Sequence, residues 1–364
     1  MEAIYAGSFD PFTNGHMEIV AQASNVFDKV VVLIADNPEK RHWLPAEERR
    51  RIVQEAVGVS ADAEILPQGD VAVEYAYRRG ACLVRGLGDF TDYPAEKTLY
   101  GVNNRLRPEV ETVFLMTRGE SNQMRSSSVR EALKYRFGWR SIRDAVPHAT
   151  FNAVVLRSLQ SRDGELERLI GRIDLSRYFG RPYHNLEHLI YMFDLAERWG
   201  CEDAGIDRMA LWTAILYHDI YVDSDPDVLA GDDIRRSVER LRADAALIPA
   251  QSLDESVRLL LATDHKANLF NPNARMTPEM LFMCRLDFAI LGESRYEYSR
   301  YALAVRNEYG TKYGYLSEIF RAGRKAFLEN LLTMVGERRL INADYDEQMR
   351  HNARWELDEL EKGR

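Results

Sequence analysis

The stretch Gly7-Ser8-Phe9-Asp10-Pro11-Phe12-Thr13-Asn14-Gly15-His16 follows directly on the apolar run Ala3-Ile4-Tyr5-Ala6, and it limits the possible folds more than any other part of the chain. A buried strand that breaks into a turn rich in Gly, Pro and Asn and restarts as a helix aims backbone N–H groups at one point, where the helix dipole favours an anion. The turn therefore reads as a phosphate site. A strand, a turn and a helix containing glycines would be weak grounds alone, because most such turns merely connect elements. A ten-residue pattern with eight specified positions at a strand end is much harder to produce by chance.

The next elements keep that alternation. A helix is predicted from about Asn14 to Ser24, with Met17, Ile19, Val20 and Ala23 on one side, followed by the apolar strand VVVLIA at 30–35. Then come a helix holding Glu47, Glu48 and Arg49, a strand near Ile65, a helix over Val71–Tyr77, a strand at 82–86, a helix around Asp92–Asn104 and a strand at 111–117. Continuous apolar strands alternating with helices indicate a parallel sheet covered on both faces, a doubly wound α/β domain. Ligands of such sheets bind beyond the carboxyl ends of the strands. Ser8 and His16 follow the first strand, Lys40 the second and Arg85 a later one. After the last strand, Met124-Arg125-Ser126-Ser127-Ser128-Val129-Arg130-Glu131 opens a helix. Helix capping accounts for one serine, but not for three together with Arg130.

The GSFDPxTxGH pattern resembles the nucleotidyltransferase superfamily, and within it the phosphopantetheine adenylyltransferase family; the serine run resembles that family's second motif. The likeness spans roughly the first 155 residues. It implies a Rossmann-like domain over 1–157, a hexameric homo-oligomer, and transfer of an adenylyl group from ATP to 4′-phosphopantetheine, with Mg²⁺ bridging the phosphates. By match of position, His16 would contact the α-phosphate, Ser8 and Lys40 would orient the attacking phosphate, and Arg85 would bind phosphate. Ser126, Ser127 and Ser128 would hold β- and γ-oxygens, with Arg130 at the family's lysine position and Phe9 and Glu96 on the nucleotide side. Asn103 would face the acceptor. Three departures fall around base and acceptor: Gly88 replaces a second arginine, Pro94-Ala95 replaces an aromatic–acid pair, and Ser121 stands where some members carry tryptophan. They keep open a different phosphate acceptor, such as nicotinamide mononucleotide.

A polar stretch, Ser158–Glu165, marks a boundary, and the remainder, 158–364, has a helical period with few strand signals. This half reads as all-α. Its chemistry-bearing residues are His184 and His188 in YHNLEH, His218-Asp219, Asp264-His265 and Asp287. With two histidines four apart, helical periodicity puts them on one face. Each group alone is a weak signal, yet in this order they resemble the HD superfamily of metal-dependent phosphohydrolases. The HNxxH pattern is similar to that of cyclic-nucleotide phosphodiesterases. That resemblance implies His188, His218, Asp219 and Asp287 as ligands of a divalent metal (Mn²⁺, Fe²⁺, Zn²⁺ or Mg²⁺) and His184 as general acid. Glu187, Asp264 and His265 would orient ligands, Asp223 and Asp225 read as loop carboxylates, and Arg306, in a run similar to a small HD branch, would reach a substrate phosphate. The alternative is a metal-stabilised ligand sensor that regulates the transferase.

Composition bounds the partners. With 57 Asp and Glu against 48 Lys and Arg, the net charge is -9, so no global field draws nucleic acid or anionic membrane. Small anions such as ATP and a phosphate-bearing acceptor would have to be held by local basic residues. Cys82, Cys201 and Cys284 lie far apart in apolar contexts, as reduced core thiols do, and the expected location is cytoplasmic.

Overall fold

The structure, a computed structural model, describes residues 1–36, 41–88, 91–118, 124–201, 205–313 and 318–362, with the backbone alone at 311 and 313. It divides into two compact units, Met1–Ser158 and Leu159–Arg364.

The first unit runs β1 (Glu2–Gly7), α1 (Asn14–Ser24), β2 (Lys29–Ile34), α2 (Ala46–Val57), β3 (Asp62–Ile65), α3 (Ala72–Arg79), β4 (Cys82–Leu87), α4 (Tyr93–Leu106), β5 (Thr112–Met116), α5 (Ser126–Ala132), α6 (Trp139–Ile142) and α7 (His148–Gln160), the last extending two residues past the division. The five strands form one sheet in the order β3-β2-β1-β4-β5, and every pairing is parallel. Alternation of strand and helix leaves no other arrangement for strands joined by crossovers of this length. Strand β2, KVVVLI, is buried from Val30 to Ile34, and residues 3–6 of β1 are buried too. Their successive side chains feed two cores. Ala3, Tyr5, Val32 and Ile34 pack with Ile19, Val20 and Val53 of α1 and α2. On the opposite face Ile4, Ala6, Val31 and Leu33 pack with Val73 and Ala76 of α3. Because β1 is flanked by β2 on one side and β4 on the other, strand order reverses between β1 and β4. That reversal opens a crevice where Gly7 and Leu87 end their strands.

The second unit is helical throughout its described residues: α8 (Gly164–Ile170), α9 (Leu186–Arg198), α10 (Arg208–Tyr217), α11 (Asp233–Ala243), α12 (Ala250–Ala262), α13 (Pro278–Phe288), α14 (Arg295–Tyr313), α15 (Glu318–Glu337) and α16 (Ala343–Glu361), with short 3₁₀ turns between them. Helices α9 and α10 are buried almost all round, from Leu186 to Ala196 apart from Glu187 and from Ala210 to Tyr217. A helix that is apolar on every side belongs at the centre of a bundle. His188 and His218 sit at the ends of these two central helices, which is how imidazoles come to lie within the interior.

Among the described residues, no helix is long and apolar enough to cross a membrane.

Candidate functional sites

In the first unit, a cavity of about 630 Å³ occupies the crevice beyond β1 and β4, lined among others by Ser8, His16, Arg85, Ser126, Ser127 and Arg130. The turn from Ser8 to Pro11 is held from behind by donors. Arg49 donates to the Ser8 carbonyl (2.6 Å), Arg130 to the Asp10 carbonyl, and Ser126 Oγ to the Pro11 carbonyl (2.7 Å). Three backbone acceptors that would repel an anion are thereby occupied. The Asp10 carboxylate accepts the N–H groups of Trp43 (2.7 Å) and Leu44 (3.0 Å), tying the turn to the segment that opens α2. Phe9 takes a positive φ of 47°. Strained backbone of this kind persists only where the surroundings enforce it. Its ring is buried against Tyr5, Phe12 and His16, and Phe9 also contributes to the cavity lining.

His16 has a defined tautomer. Thr13, the residue preceding α1, donates its backbone N–H to His16 Nδ1 (2.9 Å), so that nitrogen is an acceptor and the ring proton rests on Nε2. Burial lowers the imidazole to about 4, which keeps it neutral, and the ring is stacked on Phe12 at 5.5 Å. His16 is thus a fixed, uncharged N–H donor in the cavity wall.

Arg85 and Glu96 come together, but on each other. Arg85 Nε and Nη2 donate to the two Glu96 carboxylate oxygens, both at 2.7 Å, and Nη1 donates to the Ala6 carbonyl at 2.6 Å. Glu96 therefore fixes the guanidinium at the cavity edge, and both residues belong to the lining. Ser126 to Ser128 form the first turn of α5 behind Arg125, and none of them caps it. Ser126 and Ser127 line the cavity, whereas Ser128 is exposed and outside the lining, as is the half-buried Asn103 of α4. Lys40 and Ser121 lie outside the described residues. Two lining residues went unread in the sequence, Arg41 and His42. His42 places Nδ1 3.8 Å from an Asp10 carboxylate oxygen and Nε2 3.5 Å from one of Asp36.

In the second unit, one nitrogen from each of His188 and His218 and one oxygen from each of Asp219 and Asp287 lie within 4.8 Å of one another. The two Nε2 atoms are 3.1 Å apart, His218 Nε2 is 2.8 Å from Asp219 Oδ2, and His188 Nε2 is 3.3 Å from Asp287 Oδ1. His218 Nδ1 donates to the Ile215 carbonyl (2.9 Å), which leaves its Nε2 bare in the neutral ring. Tyr183 OH lies 3.2 Å from His188 Nδ1 and can take that ring's proton in the same way. Two bare imidazole nitrogens facing two carboxylates across this distance are reconciled by a shared cation, and the N/O donor set suits a divalent metal.

His184 does not share a helix with His188. Asn185 accepts the N–H groups of Glu187 (2.8 Å) and His188 (3.4 Å) as N-cap, so α9 starts after it and His184 stays in the preceding turn. There its Nδ1 meets Glu308 Oε1 at 2.5 Å, and its Nε2 faces Asp219 Oδ2 at 3.9 Å. Burial opposes charge on this ring, but the Glu308 and Asp219 carboxylates outweigh it and raise the imidazole to about 9. Conversely, burial raises Glu308, and the His184 imidazolium overrides it, bringing the carboxyl to about 2. Glu308, on α14, also accepts the backbone N–H groups of Tyr183 and His184 and the Ser224 hydroxyl. It is the main residue that the sequence reading passed over, since attention there fell on Arg306, which is half-buried two positions earlier.

The other carboxylates have structural partners. Asp225 pairs with Arg181 (2.6 Å), and Asp223 accepts the Gly231 N–H (2.8 Å). Asp264 caps the turn at Ala267 and His265 packs edge-on against Phe270 and Phe327, while Tyr183 and the Ile215 carbonyl meet the outer nitrogens of His188 and His218.

The cytidylyltransferase-like family matches residues 4–132. A phosphopantetheine adenylyltransferase of Streptococcus pneumoniae (strain CGSP14) is 42% identical over 134 residues, covering 36% of this chain and 83% of that protein. One from Alkaliphilus oremlandii (strain OhILAs) is 37% identical over 156 residues, covering 43% of this chain and 98% of that protein. A solved NadR protein, in complex with NAD and AMP-PNP, covers 85% of this chain and 96% of that chain at 15% identity, but with a TM-score of 0.31 it shares no overall superposition.

Proposed function

Through its N-terminal unit this chain belongs to the phosphopantetheine adenylyltransferase family, and on that premise we propose a bifunctional enzyme that transfers the adenylyl group of ATP to 4′-phosphopantetheine and, in its C-terminal unit, hydrolyses a phosphoester at a metal centre of the HD type. We further propose residues 1–157 and 158–364 as the two functional domains.

For the transferase, the observation that carries the reading is the fixed Nε2–H donor of His16 in the wall of the cavity at the strand reversal. A phosphate oxygen of the acceptor attacks the α-phosphorus, the new O–P bond forms as the bond to the β-phosphate oxygen breaks, and pyrophosphate leaves with that electron pair. No covalent enzyme intermediate is required. The protein's work is positioning and charge stabilisation. His16 donates to an α-phosphate oxygen without adding charge, Arg85 balances charge from the β4 side, and Ser126 and Ser127 accept the triphosphate along the first turn of α5. Mg²⁺ accompanying the triphosphate would offset part of its negative charge. Exposed Tyr93, Leu99, Tyr100, Val102 and Leu106 on α4, a helix with no buried residue, support a homo-oligomer.

For the hydrolase, the carrying observation is the convergence of His188, His218, Asp219 and Asp287. A divalent metal held there would supply Lewis acidity and a water activated near neutral pH. His184, held as imidazolium by Glu308, can deliver its Nε2 proton to the departing oxygen of the ester, while Glu308 keeps the ring oriented.

Separation of function tests both assignments in the full-length protein. His16→Ala is expected to slow pyrophosphate release by about 10²–10³ and spare phosphoester hydrolysis, and Asp219→Ala to abolish hydrolysis and spare pyrophosphate release. A variant that retained its assigned activity would overturn that assignment.

A further inference from the structure

The cations around the transferase cavity have different kinds of partner. Arg85 is held by both oxygens of Glu96 and by the Ala6 carbonyl, and Arg130 by the Asp10 carbonyl. Arg125 instead reaches from the start of α5 across to the end of β4, where its Nη2 meets Asp92 Oδ1 at 3.0 Å and Thr91 Oγ1 at 3.1 Å. The other Asp92 oxygen accepts the Gly88 N–H at 2.9 Å. Gly88, Asp92 and Arg125 all line the cavity. The β4 end thus has no side chain of its own at 88, and a guanidinium delivered from another element stands beside it.

We propose that Arg125 grips the polyphosphate of the nucleotide at the β4 side of the cavity, exchanging the Asp92 carboxylate for phosphate oxygens when ATP enters; this rests on the transferase reading above. Three features carry it. The Arg125–Asp92 pair is 56% and 28% exposed, and ion pairs of such exposure are weak, so a polyphosphate bearing several charges displaces a single carboxylate. Arg125 directly precedes Ser126 and Ser127, which line the same cavity, so a phosphate seated against that turn lies beside this guanidinium. Gly88 is absent from the glycines with positive φ, and a Cβ built there would meet only Asp92 Oδ2, at 3.1 Å, the end of a flexible side chain. The position can therefore carry an arginine, whose guanidinium would enter the cavity from the same side as Arg125.

The test measures calorimetric binding of Mg²⁺-α,β-methylene-ATP and of AMP to the full-length protein, to Arg125→Ser and to Arg125→Ser/Gly88→Arg, together with pyrophosphate release from ATP. Arg125→Ser is expected to weaken the triphosphate about tenfold or more while AMP affinity stays within about twofold, since only the polyphosphate loses a charge-assisted contact. Gly88→Arg in the same chain is expected to restore most of that loss. Unchanged triphosphate affinity in Arg125→Ser, equal loss of both ligands, or no recovery with Gly88→Arg would each overturn the proposal. Arg125-dependent binding without pyrophosphate release from any acceptor would keep it and overturn the transferase reading. Pyrophosphate release with binding indifferent to Arg125 would do the opposite.

Discussion

The two sites of this chain are built on opposite plans. The N-terminal cavity is organised on one contiguous turn whose carbonyls accept from Arg49, Arg130 and Ser126, with the neutral His16 imidazole in its wall. The C-terminal centre is made by side chains from distant positions, 188 to 287, brought together because α9 and α10 are buried all round. The first plan suits a reaction whose charge is already on the substrate and needs only to be received. On the proposed reading the second suits a reaction for which the protein must bring charge, from a metal that His188, His218, Asp219 and Asp287 would hold and from His184 held as imidazolium by Glu308. Damage should therefore spread differently: a ligand lost from the second site removes its function outright, whereas one donor lost from the first leaves the remaining cradle in place.

The largest effect is expected for Asp219→Ala, because Asp219 contacts both His218 (2.8 Å) and His188 (3.5 Å). Metal analysis of the purified protein should show loss of the bound ion, with hydrolysis reduced to background, and chelation of the native protein should give the same result. Retained metal and activity would break the side-chain plan of that site. Next comes His16→Ala, expected to lower the turnover of adenylyl transfer by about 10²–10³, the usual consequence of removing one transition-state donor. A loss that appeared only in KM would show that His16 serves ground-state binding instead. Glu308→Gln, which keeps the hydrogen-bonding shape without the charge, is expected to slow hydrolysis by about 10² while leaving metal content unchanged. Unaltered turnover would show that the Glu308 contact to His184 is purely structural.

A smaller effect separates the sites by pH. Burial lowers His16 to about 4, against an ordinary value of about 6.5 in an unfolded chain. A depressed histidine favours the fold fully above about 6.5, and that contribution is lost as the pH falls toward 4. Adenylyl transfer should accordingly show no inflection near 6.5 from this residue, while thermal melts of the native protein should lose more stability between pH 6.5 and 4 than those of His16→Gln. An inflection near 6.5 that disappeared in His16→Gln would contradict the neutral, Nε2–H role.

What the sequence disclosed follows the same division. Apolar strands such as KVVVLI and the ten-residue turn are local signals, and α1, β2, α3, β4, α4 and β5 were read to within two residues of their observed ends, whereas α6 and α7 were not read as helices. The group His188, His218, Asp219 and Asp287 was legible as an ordered set of residue types. The supporting residues were not. Arg49, in the charged run AEERRR, reads as surface, yet it is 1% exposed and holds the Ser8 carbonyl. Glu308 looks like one more acidic residue on a polar helix, and its role exists only because α14 packs beside the turn carrying His184, 124 residues away. Periodicity also placed His184 and His188 on one helix, until the cap at Asn185 separated them. Arg85 and Glu96 were each read as nucleotide contacts because spacing cannot show that the two bind one another.

The most direct test of the account is pyrophosphate release from ATP by the full-length protein in Mg²⁺, with and without 4′-phosphopantetheine. The account predicts release that requires this acceptor and is slowed by about 10²–10³ in His16→Ala. Release that was indifferent to 4′-phosphopantetheine but supported by another phosphate monoester, such as nicotinamide mononucleotide, would contradict it.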